Sequence, residues 1–324
     1  MNRERLQQAD TCLHWAEQGV LPVDALERIE SQQPLRAQVA DWERLLGQVL
    51  LLAGVLLLVS GVIFFFAWNW ASLARGYKLA LALGVLIAFI AGAWLTVGRP
   101  LVQQTMLLGA CLMTGALLAL IGQVYQSGAD IWQLFAVWAL LILPWTWYSA
   151  SRACWLLLWV LLNLALWRYF SYSMVWRLFN PWQPQDAMLW IALSNLAVLL
   201  LFEGLGRSWF ALESRLMQRL SALVLLGCLG AGGILVWWDS VFILLAALLS
   251  LVLLAGMPFY RWIRPDLSIL ALQSFTLIAV TTSGLAWLLE NIQTYVLLNS
   301  LGLFVIGSSA LVSIWLHRLH REGL

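Results

Sequence analysis

Ten apolar stretches of about membrane-crossing length, separated by short polar breaks, are what most restricts the fold of this 324-residue chain. A helix through hydrocarbon needs about 20 mostly apolar residues. Its backbone N–H and C=O groups must also pair within the segment, because lipid offers no partner. The stretches fall near 45–68, 78–97, 105–125, 131–149, 153–170, 188–203, 217–237, 241–258, 268–289 and 293–316. Composition agrees: 62% of residues are hydrophobic and 10% are charged, against roughly 25% charged in soluble domains. Trp outnumbers Phe, 21 to 13, as suits a chain with two membrane–water interfaces for its indoles. The expected fold is all-α, a polytopic integral membrane bundle of about ten transmembrane helices.

Charge distribution tests that layout independently. With the N-terminus in the cytoplasm, fourteen of the 18 Lys and Arg residues fall on the cytoplasmic side. Only Arg75, Lys78, Arg168 and Arg177 fall opposite. This is the asymmetry of the positive-inside rule, and it places both termini in the cytoplasm. The net charge of +2 gives no footprint for nucleic acid.

Residues 1–44 are of another kind and hold half of the 16 acidic residues. Leu6, Leu13 and Ala16 have helical spacing, Gly19 is a stop, and Pro22 opens a second helix carrying Val23, Leu26 and Ile29. The expectation is a cytoplasmic amphipathic helical hairpin over 1–44, too short for a core of its own and suited to docking a membrane-protein partner. The transmembrane domain then spans 45–316, and 317–324 is a short basic cytoplasmic tail. No cleavable signal peptide is visible ahead of the first apolar run.

Ionisable groups inside the membrane are functional candidates by default, and here they are few. Glu203 closes the sixth stretch with Arg207 four residues on, which reads first as a helix-end ion pair and second as a proton-coupling carboxylate. Lys78, Arg75 and Arg168 sit at helix ends and can snorkel. Asn163, Asn195, Gln273 and Asn299 lie within stretches, with Gln48 near the start of one; they read as interhelical hydrogen bonds or as the lining of a cavity. Gly54, Gly61, Gly84, Gly109, Gly115, Gly230 and Gly302 read as sites of close helix packing. Cys12, Cys111, Cys154 and Cys228 have no CxxC spacing and imply no disulfide framework. His317 and His320 have no acid or thiol beside them, so no metal site and no cofactor is expected.

Two clusters at the outer face are more distinctive. Phe64–Phe65–Phe66–Ala67–Trp68–Asn69–Trp70 leaves the first stretch, and Gly122–Gln123–Val124–Tyr125–Gln126–Ser127–Gly128–Ala129–Asp130 closes the third, followed by Trp132. Trp68, Asn69, Trp70, Gln123, Tyr125, Gln126, Asp130 and Trp132 form the candidate ligand-binding set: polar groups between aromatic faces fit a sugar or a lipid headgroup. The alternative is an aromatic belt with helix caps.

These clusters, with LHWAEQGVLPVDALERI near the N-terminus and IGQVYQSGADIWQLFAVWALLILP at 121–144, resemble the predicted bacterial membrane proteins grouped as domain of unknown function 2157. The likeness covers roughly the first 150 residues. It implies the bacterial inner membrane and transfers no catalytic residue.

Three function classes remain. The sequence favours a non-enzymatic subunit of a membrane or envelope complex, with residues 1–44 as its docking element. The alternative is a transporter or lipid-handling protein with an outer-face polar and aromatic site. A membrane enzyme on a lipid-linked substrate ranks third, because no Walker A, HExxH, GxSxG or CxxC sequence is present.

Overall fold

A chain whose solvent is lipid turns its leucines outward as well as inward, and only close approach distinguishes the two faces. The computed structural model describes residues 39–69, 73–126, 128–171, 184–209 and 215–321, with scattered positions between 11 and 28. Ten long helices are described: α1 (Val39–Trp68), α2 (Arg75–Leu95), α3 (Pro100–Tyr125), α4 (Ile131–Ser149), α5 (Arg152–Ser171), α6 (Pro184–Trp209), α7 (Leu216–Leu235), α8 (Ile243–Pro258), α9 (Leu267–Leu288) and α10 (Thr294–Arg321). Each is long and apolar enough to cross a membrane, α8 together with the turns that flank it (Ser240–Ile263), and no strand occurs among the described residues. Several helices overrun the apolar stretches, by six residues at the start of α1 and the end of α6, because polar end residues continue the helix past the hydrocarbon. In α10 this carries the helix through Arg321, so most of the expected basic tail is helical.

The chain divides into two compact units, 1–116 and 117–324. In the first, α1, α2 and the start of α3 share a core of Val55, Val59, Phe89, Ala110 and Met113. The Phe89 ring fills the space where a Cβ on Gly109 would stand, so that glycine is a packing site as expected. Gly54, Gly61 and Gly84 have no such neighbour within their unit, which corrects their reading as packing glycines. Lys78 is buried rather than snorkelling. At the described positions near the N-terminus, Gly19 adopts φ +69° and its N–H bonds to the Ala16 carbonyl, and the Ala25 N–H bonds to the Pro22 carbonyl. Most of residues 1–38 and the side chains of Arg207 and Arg177 lie outside the described residues.

In the second unit α7 is the hub, packing against α6, α8 and α9, while α4, α5 and α6 follow one another and α10 lies on α9. Leu225, Leu226 and Leu229 of α7 meet Leu245 and Leu249 of α8 and Ile269 and Leu270 of α9. The glycines near the end of α7 allow this approach; at Gly230, as expected, a Cβ would come within 2.9 Å of the Thr276 methyl.

Helix α8 departs from regularity where it matters. Pro258 lacks an N–H, and its ring crowds the preceding turn. The chain responds with a π turn over Phe259–Ile263, the kind of local widening that absorbs a broken ladder. That turn drives Tyr260 inward, to 4% exposure, while Trp262 and Ile263 stay exposed.

Candidate functional site

The predicted outer cluster divides between the two compact units. Trp68 is 90% exposed, and the Asn69 side chain donates back to the Phe65 carbonyl at 3.0 Å, which extends the end of α1. Trp70 lies outside the described residues. Trp68 and Asn69 belong to the first unit, whereas Gln123, Tyr125, Gln126, Asp130 and Trp132 belong to the second. Gln123, Tyr125 and Gln126 are exposed. Gln126 (φ +47°) and Gly128 (φ +64°) both take left-handed backbone, reversing the chain between α3 and α4; glycine meets that geometry without steric cost. Asp130 stands at the N-cap of α4 with no side-chain capping bond.

Trp132 lines a cavity. Its ring meets Tyr169 edge-on at 5.1 Å, and together they border a groove of 420 Å³ between α4, α5 and α6. The groove opens past Leu140 and Leu143, both exposed to the lipid side. Its wall is apolar except for one network. Trp159 Nε1 donates to Asn195 Oδ1 at 3.0 Å, and Asn195 Nδ2 donates to Asn163 Oδ1 at 2.7 Å and to the Ile191 carbonyl at 2.9 Å. Asn163 Nδ2 closes the set on the Trp159 carbonyl at 2.9 Å. Asn195 spends both amide N–H groups inside the protein and Asn163 spends one of its two on the Trp159 carbonyl, and both residues line the groove. Asn163 and Asn195 thus meet both sequence readings at once, bonding between helices and lining a cavity.

A second cavity, of 290 Å³, lies between α6, α7, α8 and α9. Leucines dominate its wall, and its polar members are Glu203, Tyr260 and Gln273. Glu203 is 7% exposed, and neither carboxylate oxygen has a hydrogen-bond partner among the described residues. The sequence paired it with Arg207. The structure brings Arg264, from the connection between α8 and α9, to 3.7 Å, with a side chain still 42% exposed. Gln273 is 2% exposed, its amide nitrogen packs against Gly256, where a Cβ would collide with it, and its Oε1 has no partner.

Beside this cavity stands an acid of opposite character. Asp266 caps α9, its Oδ1 accepting from the Ser268 N–H at 3.0 Å and the Ile269 N–H at 3.4 Å. Its Oδ2 accepts from Arg219 Nε at 3.1 Å and Arg215 Nη1 at 3.4 Å. Arg215 also bonds the Pro265 carbonyl at 2.9 Å, which pins the connection between α8 and α9 to the start of α7. Sequence reasoning missed this clamp, because Asp266 lies 51 and 47 residues from its two arginines. An Asp just before an apolar run was the one available signal, and it marks a helix cap. Among the described residues no three of His, Cys, Asp and Glu gather as metal ligands.

Ten membrane-crossing helices with lipid-facing leucines define the class: this is a polytopic α-helical membrane protein. Over residues 13–155 it matches the family model described as "Predicted membrane protein (DUF2157)", which is the likeness drawn from the N-terminal hairpin and the segment at 121–144. That match takes in the first unit from residue 13 and extends through α4. No curated protein and no solved structure matches the chain.

Proposed function

We propose that this is a lipid-handling protein of the bacterial inner membrane that holds an amphiphile in the groove between α4, α5 and α6. The observation that carries the reading is the Asn163–Asn195–Trp159 network set in an otherwise apolar, lipid-open wall. Ligand pockets commonly have this form, a mostly apolar concavity with a few placed polar groups. A volume of 420 Å³ falls within the usual range of about 300–1,000 Å³. With both termini cytoplasmic, as the arginine distribution favours, Trp132 and Tyr169 stand at the outer interface, where an aromatic pair suits the junction of headgroup and chain. Within the same unit, Gln123, Tyr125, Gln126 and Asp130 precede Trp132 in the chain and form the approach to the groove.

The test is extraction into lipid-preserving polymer particles, with mass spectrometry of the lipids that remain. Wild-type protein is expected to enrich one lipid class over the bulk membrane, and Ala136→Trp, which fills the groove, to abolish that enrichment. A wild-type lipid profile equal to the bulk membrane would remove the reading.

A second reading, docking of a membrane-protein partner on residues 1–44, draws support from the exposed Trp15 and Val20 at the described turn of the hairpin. In the same extraction, a protein retained at fixed stoichiometry and lost on deleting residues 1–40 is its expected signature.

A further inference from the structure

We infer that the cavity between α6, α7, α8 and α9 is a second binding site, and that it takes a single-chain amphiphile headed by a primary ammonium. This rests on observations separate from the α4–α6 groove.

The first argument is the shortage of donors. A carboxylate out of water without hydrogen bonds is costly unless something compensates it. Glu203 lines the cavity with both oxygens buried and unbonded among the described residues, and Gln273 Oε1 lines it in the same condition. On α7 nearby, Gln218 Oε1 and Ser221 Oγ are also buried without partners. The lining holds donors of its own in the Tyr260 hydroxyl and the Gln273 amide nitrogen, but the one charge it carries is the Glu203 carboxylate, so a ligand that brings several donors and a positive charge suits it. An alkylammonium carries three N–H donors and no acceptor. A carboxylate or sulfate headgroup would set charge against charge at Glu203, and an alcohol brings one donor and no charge.

The second argument is shape. One water occupies about 30 Å³, far less than the 290 Å³ present, and the remaining wall is leucine, valine, alanine and phenylalanine. From Leu196 to Glu203 the lining extends two turns along α6, about 10 Å at the helical rise. Leu200 and Leu251 at the mouth are each 62% exposed on the lipid side, so a chain can enter sideways from the bilayer. Glu203 closes the apolar part of α6 (Gln185–Gly204) and Tyr260 sits in the π turn that follows α8, as an amphiphile's head requires, and the chain then runs toward the membrane centre. The volume lies at the small end of ligand pockets, which suits one chain rather than two.

The third argument is the rim. Arg264 reaches Glu203 only at 3.7 Å and remains 42% exposed, so it can yield its place to an ammonium. If the ammonium belongs to an aminophospholipid, Arg264 is then placed to take the phosphodiester by charge-assisted hydrogen bonds. Arg215 and Arg219 are engaged by Asp266 and do not compete for Glu203.

The experiment uses full-length protein in nanodiscs of phosphatidylglycerol, with binding read by native mass spectrometry and by thermal shift. The probes are dodecylamine, dodecanol and dodecanoate, and lysophosphatidylethanolamine against lysophosphatidylcholine. Dodecylamine is expected to bind at least tenfold more tightly than dodecanol or dodecanoate. Retention of lysophosphatidylethanolamine over lysophosphatidylcholine identifies an aminophospholipid as the source, and binding of dodecylamine alone identifies a free amine. Glu203→Gln, which removes charge with little change of shape, is expected to cost at least tenfold in amine affinity, and Gln273→Leu less. Ala255→Trp, which plugs the mouth and leaves Glu203 in place, is expected to abolish binding. Equal affinity for amine and alcohol, equal retention of the ethanolamine and choline lipids, or undiminished amine binding to Glu203→Gln would each overturn the proposal.

Discussion

Asp266 and Glu203 are both buried acids at the same end of the second unit, and they have been treated in opposite ways. Asp266 caps a helix and receives two arginines, so both of its oxygens are in use. Glu203 faces a cavity, and Arg264 at 3.7 Å is its one ion-pair partner among the described residues. Burial and charge are similar, so neither distinguishes structure from function here. What separates the two is satisfaction: an acid whose acceptors are filled holds the fold, while one whose acceptors are empty is available to a ligand.

This contrast is tested most severely at Asp266. Asp266→Ala removes a helix cap and leaves two guanidiniums without their partner. Breaking a buried pair costs about 3–5 kcal/mol, and because both arginines are partly exposed, roughly 2–3 kcal/mol is expected. The thermal midpoint in nanodiscs should fall sharply, and an unchanged midpoint would mean that the clamp contributes nothing.

Gly256→Ala is expected to rank next. A Cβ there displaces the Gln273 amide, and overpacking of this kind costs about 1–3 kcal/mol. Loss of stability without loss of the α4–α6 lipid signal would sharpen the separation of the two cavities.

Asn195→Leu removes the centre of the α5–α6 network and its three hydrogen bonds. At about 0.6 kcal/mol per bond between membrane helices, the expected loss is between one and two kcal/mol, read by denaturant-dependent unfolding. A much larger loss would make the network a structural clamp like Asp266.

Glu203→Gln should have the smallest effect on stability, within about 1 kcal/mol of wild type and of either sign, because it removes a buried charge whose pairing is incomplete. A loss as large as that of Asp266→Ala would make the two acids alike and end the comparison.

Much of this was legible in the chain before its fold was known. The ten crossings were readable because a bilayer imposes one length and one polarity on every helix, and the ends fell within six residues of the apolar stretches. Asn163 and Asn195 were readable as interior polar groups, since an amide in the middle of an apolar run must find a partner. Trp132 lines a groove, but Gln123, Tyr125 and Gln126 are exposed at the chain reversal marked by Gly128, and sequence adjacency does not tell a pocket from a turn. Glu203 was noticed and paired with Arg207, whose side chain lies outside the described residues; the approach of Arg264, 61 positions on, is what a linear reading could not supply.

The sequence alone determined that this chain crosses a membrane about ten times as helices, since hydropathy and segment length are local properties. Tertiary structure alone decided which polar side chains are satisfied. Asp266 meets its arginines across some fifty residues of chain, and Pro258 with its π turn swings Tyr260 to the wall that Glu203 shares. Hydrogen-bond satisfaction is a property of atoms brought together from several helices, and no one of those helices encodes it.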